Sequence, residues 1–144
     1  MVVDQRRRWL QSHLKRITSI DNKKQEPIEN QLVLKYGSHK FHIAKEIYEG
    51  SVLVFPSRTY LWPVSDITDI SMDNLAPVAT QSPSVEILVI GCGEFFFTLP
   101  RGLRKSLSDW GVALEWMDTG AAIRTYNVLM AEGRCCAAAL IAVE

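Results

Sequence analysis

The stretch Met117-Asp118-Thr119-Gly120-Ala121-Ala122-Ile123-Arg124-Thr125-Tyr126-Asn127-Val128-Leu129-Met130-Ala131-Glu132-Gly133-Arg134 contains a helix start, a helix body and a helix stop. Asp118 or Thr119 offers the side-chain oxygen that an exposed first turn needs. Gly133 supplies the residue that leaves a helix at positive φ. Between them Ala122, Ile123, Tyr126, Leu129 and Met130 fill one broad arc, which must face a core. The opposite arc holds Gly120, Arg124, Asn127 and Ala131. Arg124 and Asn127 are three positions apart, so their side chains are neighbours on the helix surface.

Moving outward, Val112 to Met117 reads as a strand before this helix, and Arg134 to Val143 as a strand of small apolar residues after it. Val85 to Ile90 is nearly all apolar, as a strand covered on both faces requires. Pro100 opens a helix at its first position, with Leu103, Leu107 and Trp110 on one face, Arg101, Arg104 and Lys105 on another, and Gly111 as its stop. Strand, helix, strand, helix, strand demands two crossovers and a largely parallel arrangement. The first half uses a different grammar. Gln31 to Tyr36, Phe41 to Ile47, Ser51 to Phe55 and Thr59 to Trp62 are short strands separated by Gly37-Ser38, Glu49-Gly50 and Pro56-Ser57-Arg58, an antiparallel meander. Asp66 to Val78 is ambiguous, with Ser71 or Asp73 available to cap a short helix. The expectation is an α/β fold with a mixed sheet, the meander either stacking on that sheet or extending it.

At 144 residues the chain is long enough to close one core without disulfides or metal. The formal net charge of +0 hides an asymmetry: residues 1–30 hold seven basic and four acidic side chains, and the remainder nine and twelve. A basic arm on a mildly acidic body is not the footprint of a nucleic-acid-binding domain. Cys92, Cys135 and Cys136 have no metal-ligand spacing, and the adjacent pair would face opposite sides of a strand, so buried, inert thiols are expected. No apolar run reaches about 18 residues, the length that a membrane span needs. Residues 1–26 form a separate arm and residues 27–144 one α/β domain. If helical, the arm places Val3, Leu10, Leu14 and Ile17 on one face, with Arg8 and Lys15 opposite and Arg6 and Arg7 flanking. Such a helix lies on an anionic membrane through residues 1–20, docks in a partner's groove, serves as an organellar transit peptide, or is simply a frayed terminus.

Two loops follow strands: Gly91-Cys92-Gly93 and Asp118-Thr119-Gly120. If their strands are parallel, both loops lie at one carboxyl edge, where open α/β sheets bind ligands. A small-molecule pocket between Gly91–Gly93 and Asp118–Asn127 is therefore one reading. The dinucleotide fingerprint fails, however, because Phe96 stands where a third glycine belongs and Glu94 to Thr98 looks extended. No cofactor is expected. Arg124 and Asn127, flanked by small residues, read either as a docking strip or as internal ties, with Arg124 paired to an acid and Asn127 bonded to a neighbouring backbone. Trp62, before Pro63, is either an exposed anchor for a partner or a buried aromatic at a strand end. His39 and His42 fall on opposite faces of a strand with no ligand set around them, so no metal is expected. No Gly-x-Ser-x-Gly elbow or nucleophile relay identifies a catalytic site, and the expectation is a non-catalytic protein.

Tyr36-Gly37 with Phe41, Tyr48-Glu49-Gly50-Ser51, Trp62-Pro63-Val64, Gly91-x-Gly93 and the block Asp118-Thr119 through Ala121-Ala122, Arg124, Tyr126-Asn127 and Leu129 to Glu132-Gly133-Arg134 together resemble the complex I (NADH:ubiquinone oxidoreductase) assembly factor three family and its bacterial homologues. The resemblance covers residues 31–144 and excludes the arm. It departs after Tyr36-Gly37, where His39 stands at an expected second glycine. It implies a three-layer α/β fold around a central mixed sheet. It further implies a protein-binding, membrane-proximal role, with respiratory complex subunits or membrane-insertion machinery as partners. The Asp118–Arg134 block looks like the bacterial type, which implies bacterial cytoplasm at the inner membrane; the mitochondrion is the alternative.

Overall fold

A computed structural model describes residues 30–144; the arm of residues 1–26 and the linker ending at Pro27 lie outside the described residues. The chain enters through an antiparallel sheet of β1 (Val33–Gly37), β2 (Lys40–Ile43) and β3 (Glu46–Glu49). It then forms the hairpin β4 (Val52–Phe55) and β5 (Arg58–Leu61), and later β6 (Ile87–Gly91), β7 (Ala113–Met117) and β8 (Cys136–Leu140). These five strands make one sheet in the order β5-β4-β8-β6-β7, in which β8, β6 and β7 run parallel and β4 runs antiparallel to both its neighbours. Helix α1 (Ala76–Ala79) follows a 3₁₀ turn at Ile67–Asp69, α2 (Leu103–Asp109) joins β6 to β7, and α3 (Thr119–Ala131) joins β7 to β8. The mixed α/β architecture expected from the sequence is therefore present. The meander divides, its first part stacking on the large sheet and its hairpin extending it.

Alternation along the strands builds two cores. Leu53, Phe55, Leu88, Ile90, Leu114, Ala137 and Ala139 face one way, against Leu103 and Leu107 of α2 and Trp62, Leu75 and Val78. Val52, Val54, Val89, Cys136, Ala138 and Leu140 face the other way, against Ala122, Ile123 and Tyr126 of α3 and Phe41 and Ile43 of β2. Three layers result. All five residues of β8 are buried, because it is the central strand, and its small side chains let both outer layers approach.

Local departures have tertiary causes. Phe41 to Ile47 is not one strand: Ala44, at φ 53°, turns the chain and gives its N–H to Leu32 O at 3.1 Å, so β2 and β3 are separate. Helix α2 starts at Leu103 behind Gly102, at φ 83°, rather than at Pro100. It ends at Asp109, so Trp110 is its cap and is exposed instead of sharing the face of Leu103 and Leu107. Neither Ser71 nor Asp73 caps α1; Ser71 Oγ instead accepts the N–H of Asn74 at 3.1 Å in the preceding turn.

Candidate functional site: the carboxyl edge and the outer face of α3

β6 and β7 pair in parallel from Ile87↔Ala113 to Gly91↔Met117, so the loops after them do share one edge. They meet directly rather than across a cleft. Thr119 N–H donates to Gly93 O at 2.9 Å, and Thr119 Oγ1 accepts from Gly93 N–H at 3.1 Å while donating to Ile141 O at 2.8 Å. One buried hydroxyl thus ties the ends of β6 and β8 to the start of α3. A Cβ built on Gly91 would lie 2.8 Å from Thr119 Cα and 3.2 Å from Ala122 Cβ, so only glycine lets α3 cross the sheet so closely. Gly93, at φ +119°, turns the chain away from the edge.

The helix N-terminus is also occupied. Asp118, in extended conformation, accepts the N–H of Ala121 at 2.9 Å, which resolves the choice between Asp118 and Thr119 as cap. Against Gly120 lies the phenol of Tyr36, whose oxygen would be 2.6 Å from a Cβ there. Gly91, Gly93 and Thr119 are therefore buried structural residues. The ligand pocket read between Gly91–Gly93 and Asp118–Asn127 is corrected to a sealed junction, because backbone and hydroxyl groups satisfy one another there.

Arg124 and Asn127 have opposite fates. Asn127 Oδ1 accepts from Val33 N–H at 3.1 Å and its Nδ2 donates to Val33 O at 2.9 Å. The amide acts as a strand-like partner where the β1–β2 register shifts between Val33 and Lys35. Arg124 is exposed and makes no ion pair or side-chain hydrogen bond among the described residues. With Thr125, Val128 and Leu129 it lines a shallow, mostly apolar depression on α3. Trp62 is 3% exposed, and its Nε1 donates to Asn74 O at 3.1 Å. Its reading as an exposed anchor is corrected, since the irregular segment after β5 packs it with Leu75 and Val78 in the core.

All three cysteines are buried. Burial, with the neighbouring Cys135, pushes the Cys136 thiol up to about 12. Tyr126 is fully buried on the same side of the sheet, and its hydroxyl has no hydrogen-bond partner among the described residues. Burial, and then proximity to Cys136, raises its pKa well above the ordinary phenol value. Among the described residues no three His, Cys, Asp or Glu side chains gather as a metal-ligand set.

Sequence reasoning missed the tie made by Thr119 Oγ1, the Tyr36–Gly120 contact, and the exposure of Phe95, Phe96 and Phe97.

Over 124 residues the chain is 33% identical to NADH dehydrogenase (ubiquinone) 1 alpha subcomplex assembly factor 3 of Xenopus tropicalis, spanning 86% of this chain and 68% of that one. It is 35% identical over 106 residues to an uncharacterized protein of Rhodobacter capsulatus, spanning 74% and 80%. Its structure is similar to the crystal structure of an outer membrane protein from Bartonella henselae, with a TM-score of 0.73, 34% identity and coverage of 81% and 98%. From the start of β1 to one residue past β8, residues 33–141, the chain matches the family described as protein of unknown function (DUF498/DUF598). The chain belongs to that family.

Proposed function

We propose that this protein is a non-catalytic protein-binding module that assists assembly of a respiratory complex or another membrane-protein complex. The carrying observation is 33% identity across 86% of the chain to a protein named for assembling an NADH dehydrogenase subcomplex. The site geometry supports the reading. The carboxyl edge spends its polar groups on itself, whereas the outer face of α3 leaves Arg124 beside an apolar depression. Such a strip suits a partner surface that is apolar with an acid placed for the guanidinium. The partners on this reading are respiratory complex subunits or membrane-insertion machinery. The place of work is the bacterial cytoplasm at the inner membrane, with residues 1–20 as a peripheral contact; the mitochondrion fits the eukaryotic relatives.

Affinity purification of the full chain from detergent-solubilised native membranes tests the proposal. Respiratory or insertion-machinery subunits should co-purify, and Arg124→Glu should deplete them without changing the melting temperature. Recovery of no such subunit with the wild-type chain would count decisively against the role.

A further inference from the structure

Beyond β6 the chain carries Glu94-Phe95-Phe96-Phe97-Thr98-Leu99-Pro100-Arg101. Phe95 and Phe96 are each 68% exposed and Phe97 46%. The backbone beneath these rings is nevertheless tied down. Phe95 O accepts from Cys92 Sγ at 3.4 Å, Phe97 N–H donates to Cys92 Sγ at 3.5 Å, and Phe97 O accepts from Trp116 Nε1 at 2.7 Å. The Phe97 ring lies over Gly93, 3.8 Å from where a Cβ would stand. The tip is an anchored protrusion with several of its polar groups already satisfied inside the protein, which lowers the cost of placing it in an apolar medium.

Charge indicates what meets it. No charged residue lies between Glu94 and Arg101, and then Arg101 and Arg104, both exposed, lead into α2. Arg104 is held by a 2.7 Å bond from Nη1 to Leu114 O, and Lys105 beside it pairs with Asp109. Residues 91–109 thus carry three bases against two acids, and with Lys105 matched by Asp109 the cationic shoulder is Arg101 and Arg104. An aromatic tip with a cationic shoulder complements an anionic lipid surface, the rings entering the headgroup boundary and the guanidiniums meeting phosphates. A protein cleft fits less well. The bend at Glu94 and Phe95, tied back to Cys92, leaves all three rings exposed, an apolar surface that a headgroup boundary takes up without a shaped cavity.

We propose that Phe95, Phe96 and Phe97, with Arg101 and Arg104 as their shoulder, seat the folded domain on an anionic phospholipid bilayer. The surface is separate from the arm and does not depend on the assembly role.

The test uses the full chain with vesicles of phosphatidylcholine alone and with one part in three phosphatidylglycerol. Wild type should sediment with the anionic vesicles, and less so in high salt. The pair Phe95→Ser and Phe96→Ser should weaken that partitioning by about ten-fold or more with the melting temperature unchanged. Arg101→Gln should lessen the preference for anionic lipid. Phe96→Trp should show a blue-shifted difference emission on the vesicles, and should keep it when Arg6, Arg7 and Arg8 are glutamine. Failure of wild type to bind either vesicle overturns the proposal, as does binding unaltered by the serine pair. An unshifted Phe96→Trp emission on bound protein assigns binding to the arm and also overturns it. Loss of a co-purifying protein in the serine pair, with no vesicle binding, identifies a protein occupant instead. None of these outcomes bears on whether Arg124 recruits an assembly partner.

Discussion

Tyr126 places a phenol in the middle of a core and gives its oxygen nothing to bond among the described residues. Burying a hydroxyl without a partner costs about 1–3 kcal/mol, while the ring packs among Phe41, Ile43 and Ala138. Tyr126→Phe keeps the ring and removes the orphan, so it should stabilise the fold by about 1 kcal/mol. A urea midpoint that stays in place or falls would show that the oxygen is satisfied after all. Thr119 is the contrasting case, because its equally buried hydroxyl accepts one bond and donates another. That Tyr126 faces inward was legible from its spacing with Ala122 and Leu129. That its oxygen is stranded was not, since the lining comes from β2, β4 and β8.

Helix α3 and strand β1 are joined by side-chain chemistry. The amide of Asn127 supplies both hydrogen bonds that Val33 lacks where the β1–β2 ladder slips. Asn127→Ala should cost about 1–3 kcal/mol, because it leaves two backbone groups in a half-buried place unpaired. Hydrogen exchange should show the loss concentrated in β1 and the rim of α3. Equal loss of protection across all eight strands would mean that the amide supports the fold as a whole instead. The sequence placed Arg124 and Asn127 side by side on α3, and the helix confirms that adjacency. It could not decide that one side chain turns to β1 and the other to solvent, because β1 lies 94 positions from Asn127. Element boundaries behaved in the same way. Where a strong local signal existed, as at Asp118 before α3, the expected end was right. Where the ending depends on a distant carbonyl, as at Ala44 and Leu32, it was missed.

Across the molecule, the central strand β8 is sealed by both outer layers, so the thiol of Cys136 ionises only at a cost to the fold. Its pKa rises from a reference of 9.0 to about 12 on folding. The folded state therefore holds the proton more tightly, and the associated stability is fully present below pH 9.0 and lost as pH climbs toward about 12. Relative to Cys136→Ala, wild type should lose stability across that window, measured by denaturant midpoints at stepped pH. A constant difference would mean that the thiol is not buried as described. Below pH 9.0 the two curves should run parallel.

Periodicity and chain punctuation were enough to specify two crossovers, a parallel C-terminal half and an inward face for α3. Those properties depend on neighbours a few residues apart, which any stretch of chain records. How the N-terminal meander split between two sheets, the closure of the Gly91–Thr119 junction, the burial of Trp62 and the outward projection of Phe95 to Phe97 emerged only on folding. Each depends on which distant segment fills the space beside a residue, and that pairing is settled by packing the whole chain at once.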